Sequence, residues 1–165
     1  MIAKVLRSYG LTLNYLRRLV ADVPEVLLTW QPGGVINHPA WVMGHLAVSA
    51  QALGGELDLP PWLPPDWEAR FGTGSQPVDD RPAYPTKAVF LTALENGQLR
   101  LGEALVIIGE DGLSGPLSDR RYRDQLPTLG HAVLHILTAH AAVHVGQLSA
   151  WRRAAGLGPL QEAFV

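Results

Sequence analysis

The chain is 165 residues long, 47% hydrophobic and 17% charged, with a formal net charge of -2 and no cysteine. That length suits one domain, residues 1–165, with a sizeable core. The charge excludes a general attraction to nucleic acid or an anionic membrane, and the missing thiols exclude disulfides, thiolate metal ligands and a cysteine nucleophile.

The first helix is expected from Ile2 to about Val23, with Val5, Leu13, Leu16, Leu19 and Val20 at apolar positions and Gly10 as a weak point. Its opening residues scatter charge and lack the apolar core of a secretion signal, so a cytoplasmic protein is expected. Pro24 and Gln31-Pro-Gly-Gly34 form the connection out of it. Asn37-His-Pro-Ala-Trp41 then opens a second helix that runs to about Leu53, with Asn37 as the expected N-cap and Pro39 tolerated in the first turn. On this helix His45 shares the bulky side with Trp41, Val42 and Val48. The opposite side is small (Ala47, Ala50, Gly54) with Met43, and His38 sits at the helix start within reach of water.

From Glu56 to about Pro85 the chain is rich in proline and glycine and has no periodicity. Its aromatics Trp62, Trp67 and Phe71 suggest a lid packed over one end of the domain. Thr86 caps a third helix, Lys87 to about Ile108, whose Val89, Phe90, Leu94, Leu101, Leu105 and Ile108 keep helical spacing. The Arg120-Arg-Tyr-Arg123 cluster after it reads as a solvated loop. Pro127-Thr128 then starts a fourth helix of roughly 38 Å, at about 1.5 Å per residue, which stops near Gly156.

This last helix carries four of the six histidines and no fixed charge before Arg152. Those histidines, Gln147 and a small polar rear face argue against a membrane span. At about 100° per residue, His140 and His144 share a face with Leu129, Val133, Ile136, Leu137, Val143, Gln147, Leu148 and Trp151. His131 and His135 fall on the other side, with Thr138, Ala142, Ser149, Arg152 and Arg153. The first face is the core face. Two inward imidazoles one turn apart are either ligands of a shared metal ion or a hydrogen-bonded core pair; the helix alone leaves both readings open. No strand, repeat or domain break is evident, so the expected class is all-α, a four-helix bundle with a long loop between helices 2 and 3.

Two stretches, Asn37-His-Pro-Ala-Trp-Val-Met-Gly-His45-Leu46 and His140-Ala-Ala-Val-His144-Val-Gly-Gln147-Leu-Ser-Ala-Trp-Arg-Arg153, together with the Ala-Gly-Leu-Gly-Pro159 ending, resemble the DinB-like family. These are damage-inducible-type proteins related to thiol-dependent S-transferases and to a mycothiol-dependent maleylpyruvate isomerase. The resemblance implies an up-down-down-up bundle, commonly dimeric, with a divalent metal on three histidines, which by position are His45, His140 and His144. Three imidazoles without carboxylate or thiolate suit an open, catalytic metal (zinc, nickel, iron and copper fit alike).

The leading expectation is therefore a metal-dependent transferase acting on a small-molecule substrate with a low-molecular-weight thiol supplied from outside. Trp41 is a candidate pocket wall, and Gln147 could orient a ligand. The alternatives are metal-dependent hydrolysis, for which Asp66 and Glu68 are the candidate carboxylates, and a non-enzymatic metal-binding stress-response domain. A homodimer using the small faces of helices two and four is also expected.

Overall fold

The computed structural model describes residues 1–158 and Leu160; Pro159 and residues 161–165 of the tail lie outside the described residues. Helix α1 (Ile2–Val20) buries Ile2, Val5, Tyr9, Leu13, Leu16 and Leu19, a three-and-four spacing that turns one stripe inward. It ends three residues before the expected Val23, and Lys87 Nζ donates to the carbonyls of Val20, Ala21 and Val23 at 2.9, 3.1 and 2.7 Å. A cation there satisfies carbonyls that a helix end leaves without partners.

Helix α2 (Pro39–Gly55) is buried on nearly every side. Its cap corrects the expectation of Asn37: the residue at the N-cap is His38, whose Nδ1 accepts from the Trp41 amide at 3.2 Å. Nor does His38 reach water. It is 0% exposed, and its Nε2–H donates to the Val78 carbonyl at 3.1 Å.

The Pro/Gly-rich excursion contains a short helix, α3 (Trp67–Phe71), that is a packed part of the core. Trp67 and Phe71 are buried and form an aromatic cluster with Phe90, with ring centroids 5.2 to 5.6 Å apart. Helix α4 (Lys87–Gly112) starts on the Thr86 cap as expected and breaks its regular course at Gly109, where φ is +69°. Val89 and Ile108, expected inside, are exposed; the buried set is Phe90, Ala93, Leu94, Gly97, Leu101 and Leu105, so the inward stripe excludes both ends of the run.

The last helix is continuous but not uniform: α5 (Leu129–Leu134) and α6 (Ala141–Ala154) are joined without a break by a π-helical turn, His135–His140. Its buried positions run Val133, Leu137, Ala141, Val145, Leu148, Trp151, so after Leu137 the core side has moved on by about one residue relative to an unbroken α-helix. Two face assignments change with it. Val143 is 60% exposed, while Arg152 is only 4% exposed and pairs with Asp22 while donating to the Leu19 carbonyl. The tail residues Leu157 and Leu160 pack on the core.

Helix directions follow from end-to-end contacts. The Met1 amino group meets Glu110, and Lys87 meets the end of α1, so α1 and α4 run antiparallel. Arg152 meets the end of α1, so α6 runs parallel to it. Asn37 bonds Gln147 and His45 bonds His140, so α2 opposes the last helix. The order is up-down-down-up. Among the described residues there is no strand, only an isolated bridge between Pro116 and Thr128, and no helix is long and apolar enough to cross a membrane.

The small side of α2 faces α4 and the excursion, not a second molecule. Ala47, Ala50 and Gly54 are buried; a Cβ on Gly54 would stand 2.6 Å from the Trp62 ring, and one on Gly97 would stand 3.3 Å from Ala50. Helix two therefore offers no small-residue face for a dimer.

Candidate metal centre

The π turn decides how the fourth helix presents its histidines. A uniform helix would aim His140 and His144 at the bundle axis; with the core side rotated toward Ala141 and Val145, both rings sit at its edge, half-buried. His45 faces them from α2, 6% exposed. Ring centroids are 5.1 Å apart for His45 and His140, 4.5 Å for His45 and His144, and 4.6 Å for His140 and His144. One nitrogen from each ring lies within 4.8 Å of the others, a cluster that could hold a metal ion.

Two Nε2 atoms, of His45 and His140, are 3.1 Å apart. Nitrogens about 2.0–2.1 Å from a tetrahedral zinc stand about 3.3 Å from each other, so this edge already has coordination spacing. The donors also fit in charge. Desolvation pulls His140 down to about 3 and His144 to about 4, and it lowers His45 as well, with the neighbouring imidazoles adding to the first two. All three rings are neutral at physiological pH and keep a lone pair to offer.

Their outer nitrogens show how the rings are aimed. His45 Nδ1–H donates to the Phe71 carbonyl at 2.7 Å, which leaves the lone pair on Nε2, the atom that faces His140. Phe71 can come that close because the residue before His45 is glycine: a Cβ on Gly44 would stand 2.5 Å from the Phe71 ring. His144 Nδ1–H donates to Gln147 Oε1 at 3.0 Å, and Asn37 Nδ2 donates to the same oxygen at 2.9 Å. His140 differs, since its Nδ1 is buried and has no partner among the described residues.

Trp41 stacks on His45, with centroids 4.7 Å apart and planes 8° from parallel, and its indole N–H donates to Ser75 Oγ at 2.9 Å. Trp41 and Gln147 both line a cavity of about 460 Å³, together with Val35, Ile36, Asn37, Ser75, Gln76 and Pro77. Among the described residues no charged side chain lines it.

Of the two carboxylates considered for the excursion, Asp66 is held by Arg70 at 2.9 Å, and Glu68 alone bears electrostatically on His45. His131 and His135 are exposed, and neither belongs to the cluster. Sequence reasoning missed the Phe71 carbonyl, Asn37 and Ser75, whose roles arise only when the excursion and the first connection fold back on α2. The glycine before His45 was the one local signal for the first.

No match was found among curated proteins or solved structures. The sequence model of the DinB superfamily matches residues 9–148, which include α1 from Tyr9 onward, the excursion and all three clustered histidines, and the chain belongs to that superfamily.

Proposed function

We propose that His45, His140 and His144 bind one divalent transition-metal ion and that the chain uses it as a transferase acting with a small external thiol. The observation that carries this is the donor set: three neutral imidazoles converge with no carboxylate or thiolate among them, and their neighbours Trp41 and Gln147 line a cavity of about 460 Å³. A structural site is closed by four protein ligands, whereas three leave a position for an exchangeable one. A divalent ion held there supplies a Lewis acid that favours the thiolate form of a thiol.

The chain's own residues do the rest. Phe71 and Gln147 fix the His45 and His144 tautomers, and Trp41 walls the cavity and excludes water from the inner side of His45. Asn37, Ser75 and Gln76 offer amide and hydroxyl groups to an uncharged part of a ligand. With no cysteine in the chain, the nucleophilic sulfur comes from the co-substrate. Its proton passes to solvent, its lone pair forms the new bond to carbon of the electrophile, and the leaving group departs with the electron pair of the bond that breaks.

A hydrolytic reading rests on Glu68, the carboxylate that bears on His45 and could take a proton from water. Metal content of tag-free protein, followed by thiol consumption with an added electrophile, tests the first reading. Expected are about one ion per chain, metal-dependent thiol loss, and loss of both in His140→Ala and His144→Ala. Thiol transfer that survives complete metal removal would refute the transferase mechanism. Ester hydrolysis without thiol would favour Glu68, and a loaded but inert protein a binding domain.

A homodimer fits this reading through the outer side of the last helix, where Leu134, Ala142 and Val143 are exposed. Sedimentation as a monomer at micromolar concentration would dismiss it.

A further inference from the structure

A fourth imidazole stands next to the cluster. His135 is exposed, and its ring centroid is 6.1 Å from that of His140. Residues five apart on an α-helix are turned about 140° from each other and do not meet. Here the two positions are the first and last of the π turn, whose wider coil brings residue five nearly over residue zero. The turn that places His140 at the edge of the core is the same one that puts His135 beside it.

Distance decides what this neighbour can do. Two imidazoles sharing an ion at about 2.0–2.1 Å have centroids about 5 Å apart at a tetrahedral angle and about 6.4 Å apart at the widest. The three clustered pairs, at 4.5 to 5.1 Å, fall near the first figure. His135 and His140 at 6.1 Å fall just inside the second, enough for an open two-ligand hold but not for a place in the closed set.

His140 is also the ring best able to change partner. Phe71 anchors His45 and Gln147 anchors His144 through their outer nitrogens, whereas among the described residues nothing anchors the Nδ1 of His140. The rings thus run from exposed His135, through half-buried and unanchored His140, to the anchored pair of half-buried His144 and buried His45.

We propose that His135 is a loading ligand: an incoming divalent cation is held first by His135 with His140, and His140 then carries it to His45 and His144. This rests on the three-histidine metal reading. A route of this kind speeds entry and exit alike, so it changes rates and leaves the equilibrium alone.

The test is stopped-flow uptake of Co²⁺ by tag-free, metal-free protein, followed by the visible Co²⁺ bands, with release into excess chelator measured separately. In His135→Ala, uptake and release should both slow, and by the same factor, because a route open in both directions leaves the equilibrium constant unchanged. The dissociation constant should stay within about twofold of wild type. His131→Ala, which removes an exposed histidine held at the Thr128 cap, should leave both rates unchanged. Unchanged rates in His135→Ala would overturn the proposal. So would a weakened equilibrium affinity with an unchanged uptake rate, which would make His135 a resident ligand. Failure of the wild type to take up Co²⁺ would instead overturn the three-histidine reading itself. Far-UV circular dichroism of His135→Ala checks that the helix persists.

Discussion

Gly44 gives the sharpest test of how the excursion is tied to the histidine cluster. Replacing it with alanine puts a Cβ 2.5 Å from Cδ1 and Cγ of Phe71, and 2.8 Å from Cε1, inside a fully buried contact. Real Cβ atoms do not approach that closely, so Phe71, and with it the carbonyl that accepts from His45, has to shift. Overpacking of this kind costs about 1–3 kcal/mol. In a helix interior the same substitution gains about 0.8–1.0 kcal/mol of intrinsic propensity, which would mask the loss if Gly44→Ala were measured alone.

Gly102 in α4 is the control: a Cβ added there would have nothing within 4 Å, so Gly102→Ala gains propensity without a clash. Urea unfolding of both metal-free variants should therefore show Gly102→Ala slightly more stable than wild type. Gly44→Ala should lie below Gly102→Ala by about 1–3 kcal/mol, the overpacking cost with propensity cancelled. Metal titration should then find affinity weakened by about 10–100-fold in Gly44→Ala only, because His45 loses its aim. If Gly44→Ala matches Gly102→Ala in stability and wild type in metal affinity, Phe71 does not set the orientation of His45.

Gln147→Ala removes the acceptor from His144 and from Asn37, and should weaken metal binding by about 10–100-fold, while Gln147→Glu, which keeps an acceptor, should not; isothermal titration separates them, and equal affinities for both would refute an aiming role. His38 links stability to pH. Burial holds its ring down to about 4, from an ordinary 6.5, so the unfolded chain takes up a proton that the fold refuses. Stability is complete above about pH 6.5 and falls as pH drops toward 4, by about 3 kcal/mol in total. His38→Asn keeps an N-cap acceptor but cannot titrate, so denaturation midpoints of the two metal-free proteins should diverge below pH 6.5; parallel profiles would show that His38 is not buried neutral.

The residues alone determined the helical class, the Thr86 and Thr128 caps, and the inward bias of His45, His140 and His144, because apolar spacing and capping chemistry are local and act over three or four neighbours. The up-down-down-up order and the choice of His45, His140 and His144 as candidate ligands came from family resemblance, and the end-to-end contacts of α1, α4 and α6 make that order visible in the fold.

Tertiary structure decided what depended on distant segments. His38 reads as solvent-facing until Val78 returns over it, and the small side of α2 reads as an interface until Trp62 fills it. Above all, the π turn has no signature in a run such as His135-Ile-Leu-Thr-Ala-His140, where every residue would also suit an α-helix. One wider coil rotates everything after it by about one residue. That is why Val143 faces out, Arg152 faces in, and His135 stands beside His140, which it was expected to oppose.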